Sequence, residues 1–129
     1  MLSMKLNRYW IENVDYKLNP NIFDSKNKAV QITPELQREI VDIDDNNAIV
    51  KLSILIEQSE SVPFGLKMTV CGSFECEKWK ESDQGNIFIK TTSIQVLFPY
   101  LRNAVSMVTG LSNVPQYVLP IINVLDLFK

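Results

Sequence analysis

The chain has 129 residues, 46% of them apolar and 22% charged, with a formal net charge of -2. This balance is typical of one globular domain, here residues 1–129, rather than of a disordered chain. No basic excess is available for a phosphate backbone, so nucleic acid is not an expected partner. The sequence shows neither a signal peptide nor the roughly 18 apolar residues of a membrane span. We therefore expect a cytoplasmic protein without membrane insertion.

Alternating apolar and polar residues predict four strands, at residues 6–18, 35–43, 50–57 and 66–77. The cluster at 44–47, Asp-Asp-Asn-Asn, predicts a turn between the second and third strands. In the first strand the even positions are expected to share one face. Consecutive strands joined by polar turns favour an antiparallel sheet with one solvated face.

The spacing of apolar residues changes to three and four between 94 and 108, which predicts an amphipathic helix. Thr92 and Ser93 are its expected N-cap residues, Pro99 is expected to kink or restart it, and Gly110 to end it. An unusually apolar loop at 111–120 and a short helix at 121–128 complete the chain. Strands followed by helices predict an α+β fold with the helices packed on one face of the sheet.

Residues that carry catalysis are scarce. The chain contains no histidine, which removes the most common general base and metal ligand. We therefore expect neither an enzyme nor a bound cofactor. Asp42, Asp44 and Asp45 form either a metal site or a solvated turn, and their spacing, which fits no calcium loop, favours the turn. Glu75 and Glu77 are interpreted as part of a solvated strand face, with a functional carboxylate pair as the alternative.

Cys71 and Cys76 are five residues apart, which places them on opposite faces of a strand and excludes a disulfide between them. Two buried thiols are the main interpretation, and a metal or redox pair is the alternative. Some aromatic residues are assigned to the core, namely Trp10, Tyr16, Phe74 and Phe98. Others are candidates for an exposed apolar surface, because they lie in loops or at the chain end: Phe23, Tyr117 and Phe128.

Several short motifs make the chain resemble the SecB family of export chaperones, as a divergent member. The densest matches are Leu-Phe-Pro-Tyr at 97–100 followed by Arg102, then Val-Pro-Gln at 114–116. Further matches follow without a gap at Leu119, Ile122-Asn123 and Leu127-Phe128. Weaker collinear matches lie upstream, at Arg8, Trp10, Tyr16, Phe64 and Phe74. The resemblance covers about residues 5–128.

The resemblance implies a four-stranded antiparallel sheet, a homo-tetramer built as a dimer of dimers, and ATP-independent binding of unfolded polypeptides. Family members hold these clients in apolar grooves. The groove positions, carried over to this chain, are Ile22, Phe23, Val114, Pro115, Tyr117, Val118, Leu119, Val124, Leu125 and Phe128. Apolar burial is non-directional, so low sequence specificity is expected.

The chain departs from the export members at the surface that docks the SecA translocase ATPase. The family's acidic positions there are Asn13, Lys17, Gly65 and Lys67 in this chain, so docking by charge complementarity is expected to be weakened. Export members also continue beyond the position of Lys129 with a further helix and an acidic tail.

These departures favour a holdase with a dedicated client, such as the antitoxin of a toxin–antitoxin system. Three alternatives stay open. One is a general preprotein-export chaperone that delivers clients to SecA. The second is an oligomeric adaptor whose apolar loop is used in its own interface, and the third is a small-ligand-binding domain.

Overall fold

The computed structural model describes residues 2–19, 32–59, 62, 64–111 and 117–120. Its strands are β1 (Lys5–Leu18), β2 (Glu35–Asp42), β3 (Asn47–Ile56) and β4 (Phe64–Glu75). They form one sheet in the order β1-β4-β3-β2, and all neighbours are antiparallel. The predicted α+β fold with a four-stranded antiparallel sheet is confirmed. β2, β3 and β4 form a meander, and β1 pairs beside β4, so β1 and β2 are the two edges.

The central strands carry the core. In β3 every second residue is buried: Ala48, Val50, Leu52, Ile54 and Ile56. The facing residues of β4 are buried in the same way, from Phe64 to Phe74. Both strands have a neighbouring strand on each side, so their side chains alternate regularly between the two faces of the sheet. The helices pack on the apolar face. The predicted faces of these two strands are confirmed.

The side chains of β1 do not alternate regularly between the two faces of the sheet along the whole strand. Its register against β4 shifts between residues 6 and 8 and again between 11 and 13. Each bulge inserts one residue and moves the following side chains to the opposite face. Trp10 therefore pairs with Cys71 on the face away from the helices, whereas Val14 lies on the helix side. The prediction that all even positions share one face is wrong, and so is the assignment of Trp10 to the core, because this side chain is only half-buried.

The helical part begins earlier than predicted. After β4 come a 3-10 turn (Trp79–Glu81), α1 (Asp83–Ile87), a π-helical turn (Phe88–Thr92) and α2 (Ser93–Thr109). The N-cap of this region is Ser82, whose hydroxyl accepts the Gly85 N–H at 3.0 Å. The prediction of Thr92 and Ser93 as N-caps is wrong. The π-helical turn joins α1 to α2 without a new helix start, and Ser93, the first residue of α2, is buried.

α2 supplies the other layer of the core. It continues through Pro99 without restarting and ends at Thr109, next to Gly110 as predicted. Gly110 keeps an ordinary helical φ of -75°, so the end of the helix does not use a left-handed residue. The apolar stripe predicted from the sequence is buried against the sheet, with its centre at Leu97 and Leu101. Within the described ranges, no helix has the length and apolar character needed to cross a membrane.

The acidic cluster forms a turn, as predicted. The Asp44 carboxylate accepts the Asn46 N–H at 2.8 Å and the Asn47 side-chain amide at 2.9 Å. These bonds lower the pKa of Asp44, and they tie the carboxylate to its own hairpin. Asp42 pairs with Lys80 at 2.9 Å, which links the hairpin to the 3-10 turn. The cluster therefore stabilises the β2–β3 connection.

Candidate functional site

The segment 117–119 lies against α2 and is held there by polar side chains. The Arg102 Nε–H donates to the Leu119 carbonyl at 2.9 Å, and the Ser106 hydroxyl donates to the Tyr117 carbonyl at 3.3 Å. Thr109 accepts the Tyr117 N–H at 3.0 Å. Positions 102, 106 and 109 lie on one face of a helix, because their spacing is four and three. Three side chains on one face of α2 thus hold the backbone of residues 117 and 119 by hydrogen bonds.

Thr109 lies at the centre of this arrangement. It is fully buried, and its hydroxyl donates to the Val105 carbonyl at 2.9 Å while it accepts from Tyr117. A buried hydroxyl that both donates and accepts a hydrogen bond avoids the desolvation penalty of an unpaired polar group. It also connects the last turn of α2 directly to the apolar segment.

The side chains of this segment alternate between buried and exposed. Leu119 has no exposed surface and belongs to the core, whereas Val118 is 52% exposed. The Tyr117 ring is half-buried, with its centroid 5.8 Å from that of Phe64, and Phe64 lies 5.8 Å from Tyr16. Burial raises the pKa of the Tyr117 phenol. The segment therefore presents an apolar surface whose base is anchored in the core.

Three of the ten predicted client-binding positions lie in the described part of the chain, and the structure brings these three, Tyr117, Val118 and Leu119, together on α2. The other seven lie outside the described residues: Ile22, Phe23, Val114, Pro115, Val124, Leu125 and Phe128. Because Leu119 is buried, it anchors the segment, and the accessible side chains are those of Tyr117 and Val118.

A second apolar surface was missed by the sequence analysis. On the helix side of β1, Tyr9, Ile11 and Val14 keep 48%, 40% and 48% of their side chains exposed. Tyr9 stacks on Tyr100 of α2, with centroids 3.9 Å apart and an interplanar angle of 22°. We call Tyr9, Ile11 and Val14 the β1 strip. In the sequence this surface is indicated by the apolar residues at the odd positions 9 and 11. The prediction of an unbroken strand placed these positions on the mostly polar face, so the surface was not recognised.

The open face of the sheet, away from the helices, carries charged side chains. Lys51 pairs with Glu12 at 2.9 Å and approaches Glu39 at 3.8 Å. These three residues span β1, β3 and β2, above the buried thiol of Cys71. The hydrogen bond from Lys51 lowers the pKa of Glu12. This row places one lysine between two carboxylates, so charges of opposite sign alternate across the open face.

Cys71 faces this row, with its sulfur 3.6 Å from the Glu12 carboxylate. Burial, and then the negative charge of Glu12, raise the pKa of the Cys71 thiol from 9.0 to about 11. Cys76 lies in the core cluster on the other side, and both cysteines are free and buried. The predicted placement on opposite faces is confirmed. A protonated, buried thiol is a poor nucleophile and a poor metal ligand.

The four positions compared with the SecA-docking surface lie together on the open face. Lys17 pairs with Gly65 across β1 and β4, Asn13 pairs with Thr69, and Lys67 pairs with Asp15. Asp15 is the acidic residue among these pairs, and it stands directly opposite a lysine. Beside them is an open depression of about 450 Å³, lined by Lys67 and by charged and polar side chains of all four strands. The surface is mixed in charge rather than acidic.

The fold agrees with the comparisons with known proteins. The family model described as "Preprotein translocase subunit SecB" matches residues 3–129. The chain belongs to the SecB family. Among curated proteins it is similar to the uncharacterized protein MJ0357 of Methanocaldococcus jannaschii, with 27% identity over 128 residues, 95% of this chain and 80% of the relative.

Two of the solved structures that share the fold illustrate the similarity. The first is the Rv1957 SecB-like chaperone of Mycobacterium tuberculosis in complex with a ChAD peptide from the Rv1956 HigA1 antitoxin. It superposes with a TM-score of 0.68 and 17% identity, over 92% of this chain and 90% of that one. The second is a protein of unknown function from Streptococcus agalactiae, with a TM-score of 0.54 and 9% identity, over 94% and 99% of the two chains.

Proposed function

We propose that this protein is a holdase chaperone that binds unfolded or non-native polypeptides on apolar surface grooves without ATP. The observation that carries the proposal is the family match over residues 3–129. We place the protein in the cytoplasm, without catalytic activity and without a cofactor. Its work consists of covering the apolar side chains of a client until the client folds or is passed on.

The geometry of the apolar segment supports this proposal. Val118 is exposed although the neighbouring Leu119 is anchored in the core, so an apolar side chain is displayed on a fixed base. Leu111, just beyond α2, is also exposed, at 82%. Burying apolar area of this kind contributes roughly 25 cal/mol per Å² without requiring a particular client sequence. The seven client positions outside the described residues extend this surface in the proposal.

We further propose a dedicated client rather than general export. On the open face, Asn13, Lys17, Gly65 and Lys67 leave a mixed surface where an acidic patch would be needed for SecA. The neighbour from Mycobacterium tuberculosis is a SecB-like chaperone in complex with an antitoxin peptide. By analogy, an antitoxin or another single protein is the proposed client of this chain.

The proposed assembly is a homo-tetramer, a dimer of dimers. Among the described strands β1 is an edge, and the β1 strip is exposed beside it. An edge strand with exposed apolar side chains is prone to pair with another chain unless it is covered. A second copy of the protein that covers this edge would bury the strip, and this is the physical reason for proposing an oligomer.

Calorimetric titration with a reduced, alkylated and therefore permanently unfolded protein tests the holdase proposal. Binding is expected without nucleotide, with Tyr117→Asp weakening it and the control Tyr117→Phe, which keeps the ring on Phe64, preserving it. Equal affinities for the two variants would contradict the assigned surface. If the chain binds no unfolded protein at all, the holdase proposal is contradicted, and the adaptor and the small-ligand-binding domain become the alternatives. Native mass spectrometry distinguishes these two, because it detects a bound ligand.

A pull-down with SecA tests the choice between export and a dedicated client. We expect weak binding, and a moderate gain when Lys17→Glu and Lys67→Glu are combined, because the two substitutions restore negative charge on one face. Tight, salt-sensitive binding of the unchanged protein would contradict the proposal of a dedicated client.

A further inference from the structure

We infer that residue 118 provides a main-chain docking point, at which the N–H and C=O of Val118 pair with the extended backbone of a client. This inference rests on the proposed holdase function and specifies the form of polypeptide that the apolar segment takes. It concerns hydrogen bonds to the client backbone, in addition to the burial of its apolar side chains.

The backbone groups of residues 117 and 119 are directed toward α2. Tyr117 directs both its N–H and its C=O toward α2, where they meet Thr109 and Ser106. Leu119 directs its C=O to the same helix, where Arg102 binds it. In an extended chain the N–H and C=O of one residue point to one side, and those of the next residue point to the other. The polar groups of Val118 therefore point away from α2.

Those groups have no hydrogen-bond partner within the part of the chain that the structure describes. Val118 as a whole residue is 52% exposed, so the position is open to solvent and to a client. One donor and one acceptor on the same residue match the pair of hydrogen bonds that two antiparallel strands exchange at one position. An extended polypeptide is the ligand that presents the complementary pair, whatever its side chains.

The three side chains of α2 act as positioning residues for this docking point. They bind the inner edge of the segment, so the outer edge is presented with a fixed direction. A preorganised segment loses less conformational freedom on binding than a mobile loop does. Thr109 is the most informative of the three, because Thr109→Val removes the hydroxyl with little change of shape, whereas Thr109→Ser retains it.

Amide hydrogen exchange measured by NMR tests the inference directly. The probe is a soluble synthetic peptide with alternating leucine and serine residues, flanked by lysines. Without peptide, the Tyr117 amide is expected to be protected by Thr109, and the Val118 amide to exchange freely. With saturating peptide, the Val118 amide is expected to become protected while that of Tyr117 stays unchanged.

Two substitutions give a second measurement. Val118→Pro removes the N–H and keeps an apolar side chain, and Val118→Ala keeps the N–H with a smaller side chain. We expect Val118→Pro to bind the peptide about five-fold more weakly than Val118→Ala, the equivalent of one hydrogen bond of roughly 1 kcal/mol. Thr109→Val is expected to weaken binding and to release the Tyr117 amide, and Thr109→Ser to restore both.

The outcomes separate this inference from the proposed function. Peptide binding by the unchanged protein without protection of the Val118 amide, and with equal affinities for the two Val118 variants, would overturn the main-chain contact and leave the holdase proposal standing. A protein that binds neither this peptide nor an unfolded protein would overturn both. Protection of Val118 together with the weaker binding of Val118→Pro supports the docking point.

Discussion

The two faces of the sheet come from the same four strands but use different physical means. On the helix side, apolar residues such as Leu52 and Met68 are fully buried beneath α2. On the open side, Lys51 is held between carboxylates near solvent, and Ser53 bonds to Thr69 at 2.8 Å. The first face stabilises the fold and supports the client-binding segment in our proposal. The second carries exposed ion pairs, which contribute little to stability. In our proposal its mixed charge weakens docking to SecA.

The largest effect is expected from the helix side. Leu101 has no exposed surface and lies where α2 crosses the sheet. Leu101→Ala is expected to lower the free energy of unfolding by about 3 kcal/mol, because it removes buried methyl groups and leaves a cavity. Urea denaturation measures this change. Lys67→Ala on the open face is the control, and its free energy of unfolding is expected to stay within about 0.5 kcal/mol of that of the unchanged protein. Similar losses for the two variants would contradict the difference between the faces.

The next effect concerns the two sides of β1. Ile11 and Asn13 lie on opposite faces of this strand because a bulge separates them. Ile11→Arg places a charge in the β1 strip and is expected to convert the proposed tetramer into smaller species, whereas Asn13→Arg is not. Light scattering coupled to size-exclusion chromatography reads the mass of each variant. A mass unaffected by Ile11→Arg would show that the strip lies outside the interface.

A smaller effect should appear at alkaline pH. Burial raises the pKa of the Cys71 thiol from 9.0 in the unfolded chain to about 11 in the folded protein. Because the folded state disfavours the thiolate, this stabilisation is complete below pH 9 and is lost as the pH rises toward 11. Urea denaturation of the unchanged protein should therefore show a steeper loss of stability across this range than Cys71→Ala does. Parallel pH profiles would mean that Cys71 is accessible to water.

The smallest effect is expected for the ion pairs of the open face. Lys51→Met breaks the pairs with Glu12 and Glu39. Exposed ion pairs contribute little to stability, and salt screens them. Lys51→Met is therefore expected to lower the unfolding free energy far less than Leu101→Ala does, with the difference shrinking in high salt, as urea denaturation at two salt concentrations would show. A loss as large as that of Leu101→Ala would show that the row is structurally essential.

The success of the sequence-based predictions depended on how local each feature is. The alternation of β3 was correct because a central strand with neighbours on both sides keeps its phase. The phase of β1 was wrong because its two bulges arise from pairing with β4, which no pattern within β1 records. The N-cap was misplaced at Thr92 because the helical chain begins at Ser82 and passes through a π-helical turn.

The local features of the candidate site were predictable from the sequence, and those that depend on tertiary contacts were not. The apolar character of the segment around Val118 was visible in the sequence, and the resemblance to the SecB family led to the expectation of a client surface there. The different roles of Val118 and Leu119 were not visible, because they depend on the bonds from Arg102 and Thr109, which lie 17 and 8 residues from their partners in the chain. Tertiary contacts decide which of two adjacent apolar residues is buried.

One paired measurement tests the central claim that clients are held by the apolar segment and not by the open face. Val118→Asp and Lys67→Asp each introduce one carboxylate, one on each of the two surfaces. Titration with a permanently unfolded protein should show Val118→Asp binding at least about ten-fold more weakly, because a charge would be desolvated against apolar client groups. Lys67→Asp should bind as the unchanged protein does. Unchanged affinity for Val118→Asp together with a marked loss for Lys67→Asp would contradict the account.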